Sequence, residues 1–202
     1  MDDTDVEIVA RDTCYQGYFR IDRYRFRHRL HEGGWSGEIT RELFERGHAV
    51  AVLPYDPRAD AVVLIEQFRI GAYAARLPCW QTEIVAGIID HGETPETVAR
   101  REASEEAGCA ILDLVPVHRY LVSPGGASES VVLFCGRVDS RGVGGIHGLD
   151  HENEDIRVEV VPWAQARARL DGGGIGNAVT IIALQWLALH RDEMRRRWLA
   201  DA

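Results

Sequence analysis

The sequence predicts an α/β or α+β domain preceded by a small strand-rich segment. Three observations carry this. Residues 5–46 are rich in Arg, Tyr and Phe and alternate in polarity as half-buried strands do. Residues 48–55 and 61–69 are β-rich runs joined by Pro54-Tyr55-Asp56-Pro57-Arg58, a turn by its prolines. From Thr94 onward, helical patterns mix with further strand patterns, an order that suits an α/β or α+β architecture. The change of character places a domain boundary near residue 47, with segments 1–47 and 48–202.

The individual elements follow from local signals. Between Tyr18 and Arg27 the apolar phase shifts: Phe19 and Ile21 hold one parity, Tyr24 and Phe26 the other, so a bulge or bend is expected between them. The paired glycines between His31 and Gly37 read as a hairpin turn. Strands are expected at 115–122, 130–138 and 156–161. Thr94 can cap a helix that has Pro95 at its first position and Gly108 at its end. A short helix follows Pro162. A last helix spans about Asn177 to Trp198, with Val179, Ile182, Ala183, Trp186 and Leu187 on its apolar side and Arg195-Arg196-Arg197 complementing its dipole.

Composition narrows the function classes. Among 202 residues, 46% are hydrophobic and 27% charged, ordinary for a chain that buries a core. A net charge of −9 argues against nucleic-acid binding, which needs a basic patch, and suits an anionic substrate only if metal cations supply positive charge. The acidic start, Met1 to Asp5, is unlike a secretory leader, and the apolar run from Val179 to Leu189 is too short for a membrane span. Cys14, Cys79, Cys109 and Cys135 form no CxxC pair, so reduced thiols in a cytoplasmic protein are expected, and no zinc site.

The chemistry concentrates between Gly87 and Cys109. Glu102, Glu105 and Glu106 stand at i, i+3 and i+4, so a helix puts them on one face with about 5–6 Å between Cβ atoms. Like charges so placed repel. A hard divalent cation removes the repulsion, and carboxylate oxygens are ligands that magnesium prefers. Arg101 can hold one carboxylate in place. Three glutamates alone read more simply as a solvated acidic face. The wider spacing changes that reading. Gly87, Glu93, Arg101, Glu102, Glu105, Glu106 and Gly108 fill every fixed position of G-x5-E-x7-R-E-U-x-E-E-x-G-U, with Ala103 and Cys109 at the apolar positions. Each fixed residue matches by chance roughly one time in fifteen, so seven together are on the order of one in 10⁸ per window.

That pattern is the Nudix box, and the chain resembles the Nudix hydrolases. Ser123-Pro-Gly-Gly-Ala-Ser-Glu129, the segment Gly145-Ile-His-Gly-Leu-Asp-His-Glu152-Asn-Glu154-Asp155, Tyr15-Gln-Gly-Tyr18-Phe19 and Arg41-Glu42-Leu-Phe-Glu-Arg46 resemble the bacterial ADP-ribose pyrophosphatase branch. The likeness runs from about residue 5 to 198. It implies a mixed β-sheet sandwiched between α-helices, and a small N-terminal antiparallel β-sheet swapped within a homodimer. It implies hydrolysis of ADP-ribose to AMP and ribose 5-phosphate with several magnesium ions, manganese being a substitute. Carried onto matching positions, it implies metal ligands Glu102, Glu106, Glu154 and the carbonyl of Ala86, with Glu105 close by, and Glu152 as the base. Arg41, Glu42, Arg69 and the backbone near Ile88 would contact substrate from one subunit. Tyr18, Phe19, Arg46, Ser123, Pro124, Gly125 and Glu129 would do so from the other.

The residues bear on this chemistry independently. A pyrophosphate is anionic and resists water; magnesium neutralises it, orients the nucleophile and stabilises the leaving oxygen. Glu152 follows the glycine-rich run Gly142 to Gly148, which suits a loop that closes on substrate. The same acidic segment equally fits a turn before a strand, and His147 and His151 are rival bases. Tyr18 and Phe19 can stack adenine, yet alone they read more simply as core packing. Two other functions compete: hydrolysis of another nucleotide sugar such as GDP-mannose, and an ADP-ribose sensor without catalysis. The box cannot separate the two substrates, whereas the 123–129 loop and the region of Glu152 favour ADP-ribose. A sensor is expected to lose box carboxylates. A structural dimer module would leave them without purpose.

Overall fold

Contacts divide the chain into two units, residues 1–48 with 120–130 and residues 49–119 with 131–202. A computed structural model describes residues 3–149 and 153–200. The second stretch of the first unit lies far along the chain, and local patterning gives no sign of it.

In the first unit, β1 (Val6–Gln16), β2 (Arg20–His28) and β3 (Ile39–Glu45) form an antiparallel sheet in that order. The irregularity expected within residues 18–27 lies instead on the neighbouring strand. The register steps from Ile8–Phe26 to Ala10–Arg25 and from Thr13–Asp22 to Tyr15–Ile21, so Val9 and Cys14 are the extra residues, both on β1. On β2 the inward parity continues unbroken through Asp22, Tyr24 and Phe26. A buried aspartate occupies a position where the apolar pattern looked for a hydrophobe. Asp22 is tolerated there because Arg11 (2.6 Å), Thr13 (2.8 Å) and Arg20 (3.0 Å) all donate to it. The Arg11 bond holds its carboxyl below the usual range.

The second unit contains β4 (Ala49–Asp56), β5 (Ala61–Phe68), β6 (Trp80–Glu83), β7 (Val85–Ile88), β8 (Asp113–Leu121), β9 (Ser130–Arg137), β10 (Gly145–His147) and β11 (Ile156–Pro162), although β8 ends and β9 begins in the first. The sheet order is β10-β11-β5-β4-β9-β8, with β6 on β5 and β7 on β4. It is mixed, because β4 runs parallel to β9 and antiparallel to β5 and β7. Pro54 lies inside β4 rather than in the turn expected there. It falls between the β7 pairing at Ala49–Val52 and the β5 pairing at Tyr55–Asp56, where a missing N–H is harmless.

Helices α1 (Ile70–Ala74), α2 (Pro95–Ala107), α3 (Trp163–Asp171) and α4 (Ala178–Leu199) complete the unit. Both faces of β4 are buried. Val50 and Val52 pack with Val98, Ala99 and Ala103 of α2, while the Tyr55 ring, of opposite parity, meets Trp198 of α4. The sheet therefore lies between helices. On α4 the buried seam is Thr180, Ala183, Leu184, Leu187, Met194 and Trp198, rotated from the stripe expected through Val179, Ile182 and Trp186. Thr180 belongs to it because its Oγ1 accepts from the buried Ile84 N–H at 3.0 Å. Arg195 and Arg197 bind particular carboxylates, Asp60 at 3.3 Å and Asp113 at 3.4 Å. No helix among the described residues is long and apolar enough to cross a membrane.

The end of β4 is fixed by Asp56, which is 4% exposed. Its carboxylate accepts from Arg58 N (2.9 Å), Ala59 N (3.1 Å), Ser140 N (2.9 Å) and Ser140 Oγ (2.7 Å). Burial pushes its pKa up, but the donors outweigh it and leave it below 3.8. A lowered carboxylate pKa contributes stability that is present above the ordinary value and is lost as pH falls through the folded one. Asp56→Ala strands four donors and should lower unfolding free energy by about 2–3 kcal/mol at pH 7. In denaturant titrations the gap from wild type should narrow below pH 3.8; a gap that stays constant to lower pH contradicts a charged Asp56.

Candidate active site

The site starts from the junction of β7 and α2. Thr94 caps α2 by accepting from Thr97 N at 3.2 Å, Pro95 opens it, and Gly108 closes it in the left-handed conformation (φ 60°). On the intervening turn Glu93 accepts from Asp90 N at 3.1 Å, and Arg101 reaches Glu93 (3.7 Å), Glu102 (2.9 Å) and Glu105 (3.1 Å). Arg101 thus anchors the acidic face expected from the spacing.

Two carboxylates of that face turn toward β7. Glu106 is 5% exposed and accepts from Ala86 N at 3.1 Å. Glu102 lies against Gly87, its carboxylate where a Cβ there would stand, so a larger residue at 87 would displace the Glu102 side chain. Burial pushes the Glu102 carboxyl up to about 7, against the pull of Arg101. Burial likewise pushes Glu106 up to about 8, with the Ala86 N–H pulling down and Glu102 and Glu154 adding to the rise.

Glu154 arrives from the loop before β11. Its Oε1 accepts from Gln67 Nε2 at 3.3 Å and its Oε2 from Leu149 N at 3.4 Å. Gly148 sits against it, with a built Cβ only 2.8 Å from the Glu154 carbonyl oxygen. Arg69, at the end of β5, forms a two-pronged pair with Glu83 (2.7 and 3.2 Å), and its charge is felt together with those of Glu106 and Glu154. Glu102 and Glu106 thus lie together against β7, and Glu154 and Arg69 are near enough to act on Glu106 electrostatically, while Glu105 stays with Arg101 and Ile88 is two residues along β7 from Ala86. The donors are hard carboxylate oxygens, the chemistry that a divalent cation such as magnesium takes. Among the described residues no three His, Cys, Asp or Glu side chains stand close enough together to hold a metal ion by themselves.

Glu152 and His151 lie outside the described residues. His147 packs at the C-terminal end of α2: its Nε2 is 3.0 Å from Gly144 O, and its ring would be 2.7 Å from a Cβ at Gly108. Gln67 and Glu83 were missed by sequence reasoning. Gln67 shares strand parity with Arg69, the one signal that could have found it.

The other expected residues gather in the first unit. Tyr18 meets Phe19 edge-on at 4.8 Å, Phe19 meets Phe44 at 5.1 Å, and the Arg46 guanidinium lies 5.5 Å from the Phe19 ring. Arg46 also pairs with Glu129 at 3.5 Å. The turn holding Ser123, Pro124 and Gly125 is pinned to β3 by Phe44 N donating to Gly126 O at 2.8 Å. Tyr18 is 86% exposed and so is available for contact rather than committed to a core. Arg41 and Glu42 are exposed on β3, where Arg41 donates to Thr40 O at 2.8 Å and Glu42 accepts from Arg23 at 3.4 Å.

Known proteins resemble this chain. The NUDIX domain profile matches residues 45–180. The chain is 54% identical over 194 residues to the ADP-ribose pyrophosphatase of Escherichia coli strain K12, covering 96% of this chain and 93% of that protein. Identity to the ADP-ribose pyrophosphatase of Haemophilus influenzae is 46%, covering 96% and 91%. A GDP-mannose pyrophosphatase of Yersinia pestis is 31% identical, covering 92% of each. A crystal structure of an ADP compounds hydrolase shares the fold, with a TM-score of 0.68, 19% identity and coverage of 92% and 95%. Box, fold and relatives agree: the chain belongs to the Nudix family.

Proposed function

We propose that the chain is a magnesium-dependent ADP-ribose pyrophosphatase that releases AMP and ribose 5-phosphate. The burial of Glu102 and Glu106 together against Ala86 and Gly87 of β7, with the charge of Glu154 reaching Glu106, carries this reading. The names of relatives at 54% and 46% identity supply the substrate. Glu102, Glu106, Glu154 and the Ala86 carbonyl hold magnesium, with Glu105 close by and manganese as a substitute. When bound, the cations neutralise the pyrophosphate and stabilise the departing phosphate oxygen. Glu152 takes a proton from water as the water oxygen attacks one phosphorus and the bridging P–O bond breaks. Arg69 and the backbone near Ile88, with Arg41 and Glu42, hold substrate from one subunit. Tyr18 and Phe19 stack the adenine while Arg46, Glu129 and Ser123 to Gly125 close around it, from the other.

This division of labour requires a homodimer that exchanges its N-terminal β domain (1–47) over the catalytic domain (48–202). A three-stranded sheet needs a covered hydrophobic face to be stable. The apolar side chains Val6 (47% exposed), Ile8 (53%) and Tyr15 (62%) on β1 fit a sheet covered by a second copy. Four free thiols accord with a cytoplasmic setting.

Product analysis tests the activity. With magnesium and a panel of nucleotide sugars, ADP-ribose should yield AMP and ribose 5-phosphate faster than GDP-mannose is cut, and Glu106→Gln should lose most turnover while staying folded. Preferential cleavage of GDP-mannose, or near-normal Glu106→Gln activity at low magnesium, would sink the proposal.

The two loop glutamates should separate by role. Glu152→Gln should lower turnover about 10²–10⁴-fold with substrate binding little changed, as expected for a positioned base. Glu154→Gln should be partly rescued by raised magnesium. The reverse pattern exchanges the two assignments.

Light scattering should give twice the chain mass of 22.6 kDa. A fully active monomer refutes both the dimer and the shared site.

A further inference from the structure

Gln67 on β5 is 8% exposed, yet it belongs to neither the box nor the loop. Its side chain spans 87 residues of sequence to donate from Nε2 to Glu154 Oε1 at 3.3 Å. A carboxylate only accepts, so the amide nitrogen must face Glu154 and Oε1 must face away. Oε1 is buried with no hydrogen-bond partner among the described residues. A buried acceptor without a partner costs stability, and an apolar side chain of the same length would avoid that cost. Folding alone therefore does not account for glutamine here. Glu154 has a second donor, Leu149 N, on its other oxygen at 3.4 Å, so each oxygen of this carboxylate is held by one donor.

We propose that Gln67 is a positioning residue, whose amide fixes the carboxylate of Glu154 for the divalent cation. The inference rests on the metal-site reading of Glu154. It joins that loop residue to the rigid interior of the sheet: Gln67 pairs across to Gln81 on β6, and the adjacent Glu66 pairs to Arg157 on β11. Partners that hydrogen-bond a metal-ligating carboxylate typically contribute about 10–100-fold to metal affinity.

The test is Mn²⁺ alone, titrated into metal-free protein and followed by the electron paramagnetic resonance of free Mn²⁺. Gln67→Met keeps length and volume and removes the donor. Its Mn²⁺ dissociation constant should rise about 10–100-fold, while the unfolding midpoint of the metal-free variant stays level or rises. Combining it with Glu154→Ala should weaken Mn²⁺ no further than Glu154→Ala alone, because Gln67 acts through Glu154. Unchanged affinity in Gln67→Met beside a binding wild type overturns the inference and leaves the metal site standing, whether or not the variant is less stable. A wild type that binds no Mn²⁺ overturns the metal site itself. If Gln67→Met does not fold, Gln67→Asn decides: it keeps the amide but draws the donor back from Glu154, so its Mn²⁺ dissociation constant should rise likewise, and an unchanged constant overturns the role.

Discussion

The contact of α2 with β7 is the constraint on which the site depends. Glu106 is buried and held by the Ala86 N–H at 3.1 Å, while Glu102 fills the space where a Cβ of residue 87 would otherwise stand. Two carboxylates are thereby brought out of water beside one another, and both titrate far above their ordinary range, at about 7 and about 8. A fold selected for stability alone has no use for such a pair, since buried like charges are costly. The compensation within the chain is partial. Arg101 gathers Glu93, Glu102 and Glu105, and the apolar face of α2 buries Val98, Ala99 and Ala103 against the sheet. A bound cation would offset the rest.

The sheet order explains how a residue far along the chain joins them. β11 lies beside β5, and β5 lies beside β4, which carries β7. Glu154, just before β11, is thus delivered to Gln67 and Arg69 at the end of β5, and from there to Glu102 and Glu106. The loop neck is closed by Leu149 and Glu154 exchanging main-chain and side-chain bonds, with Gly148 leaving room for the return. Strands hold both ends of this arrangement, β5 through Gln67 and β11 just after Glu154.

The first unit uses a different device. Its sheet leaves apolar side chains such as Val6, Ile8 and Tyr15 exposed, and the side chain it buries fully is Asp22, held by an ionic cluster. Phe19 meets Phe44 edge-to-face at one end, with Arg46 over the Phe19 ring, next to the turn pinned by Phe44 and Gly126. Tyr18 stays exposed beside them, the condition for an aromatic that meets a ligand rather than a core.

The sequence by itself determined the carboxylate helix, its caps at Thr94 and Gly108, the alternation of strands and helices and the family. These are local properties: spacing along a helix and the φ demanded at a cap depend on neighbours in the chain. It also named Glu154 and Arg69, through resemblance. Tertiary structure alone decided which of those charges are buried and what holds them. The Glu106 bond to Ala86, the pairing of Arg69 with Glu83 and the reach of Gln67 to Glu154 each join segments from 14 to 87 residues apart. Short elements such as α1, β6, β7 and β10 were likewise illegible, because three to five residues hold too little periodicity and are fixed by the strands they meet. Asp22 shows the same limit from the other side. A polar residue in an inward position looks like a break in a strand until the three donors that satisfy it are brought together by the fold.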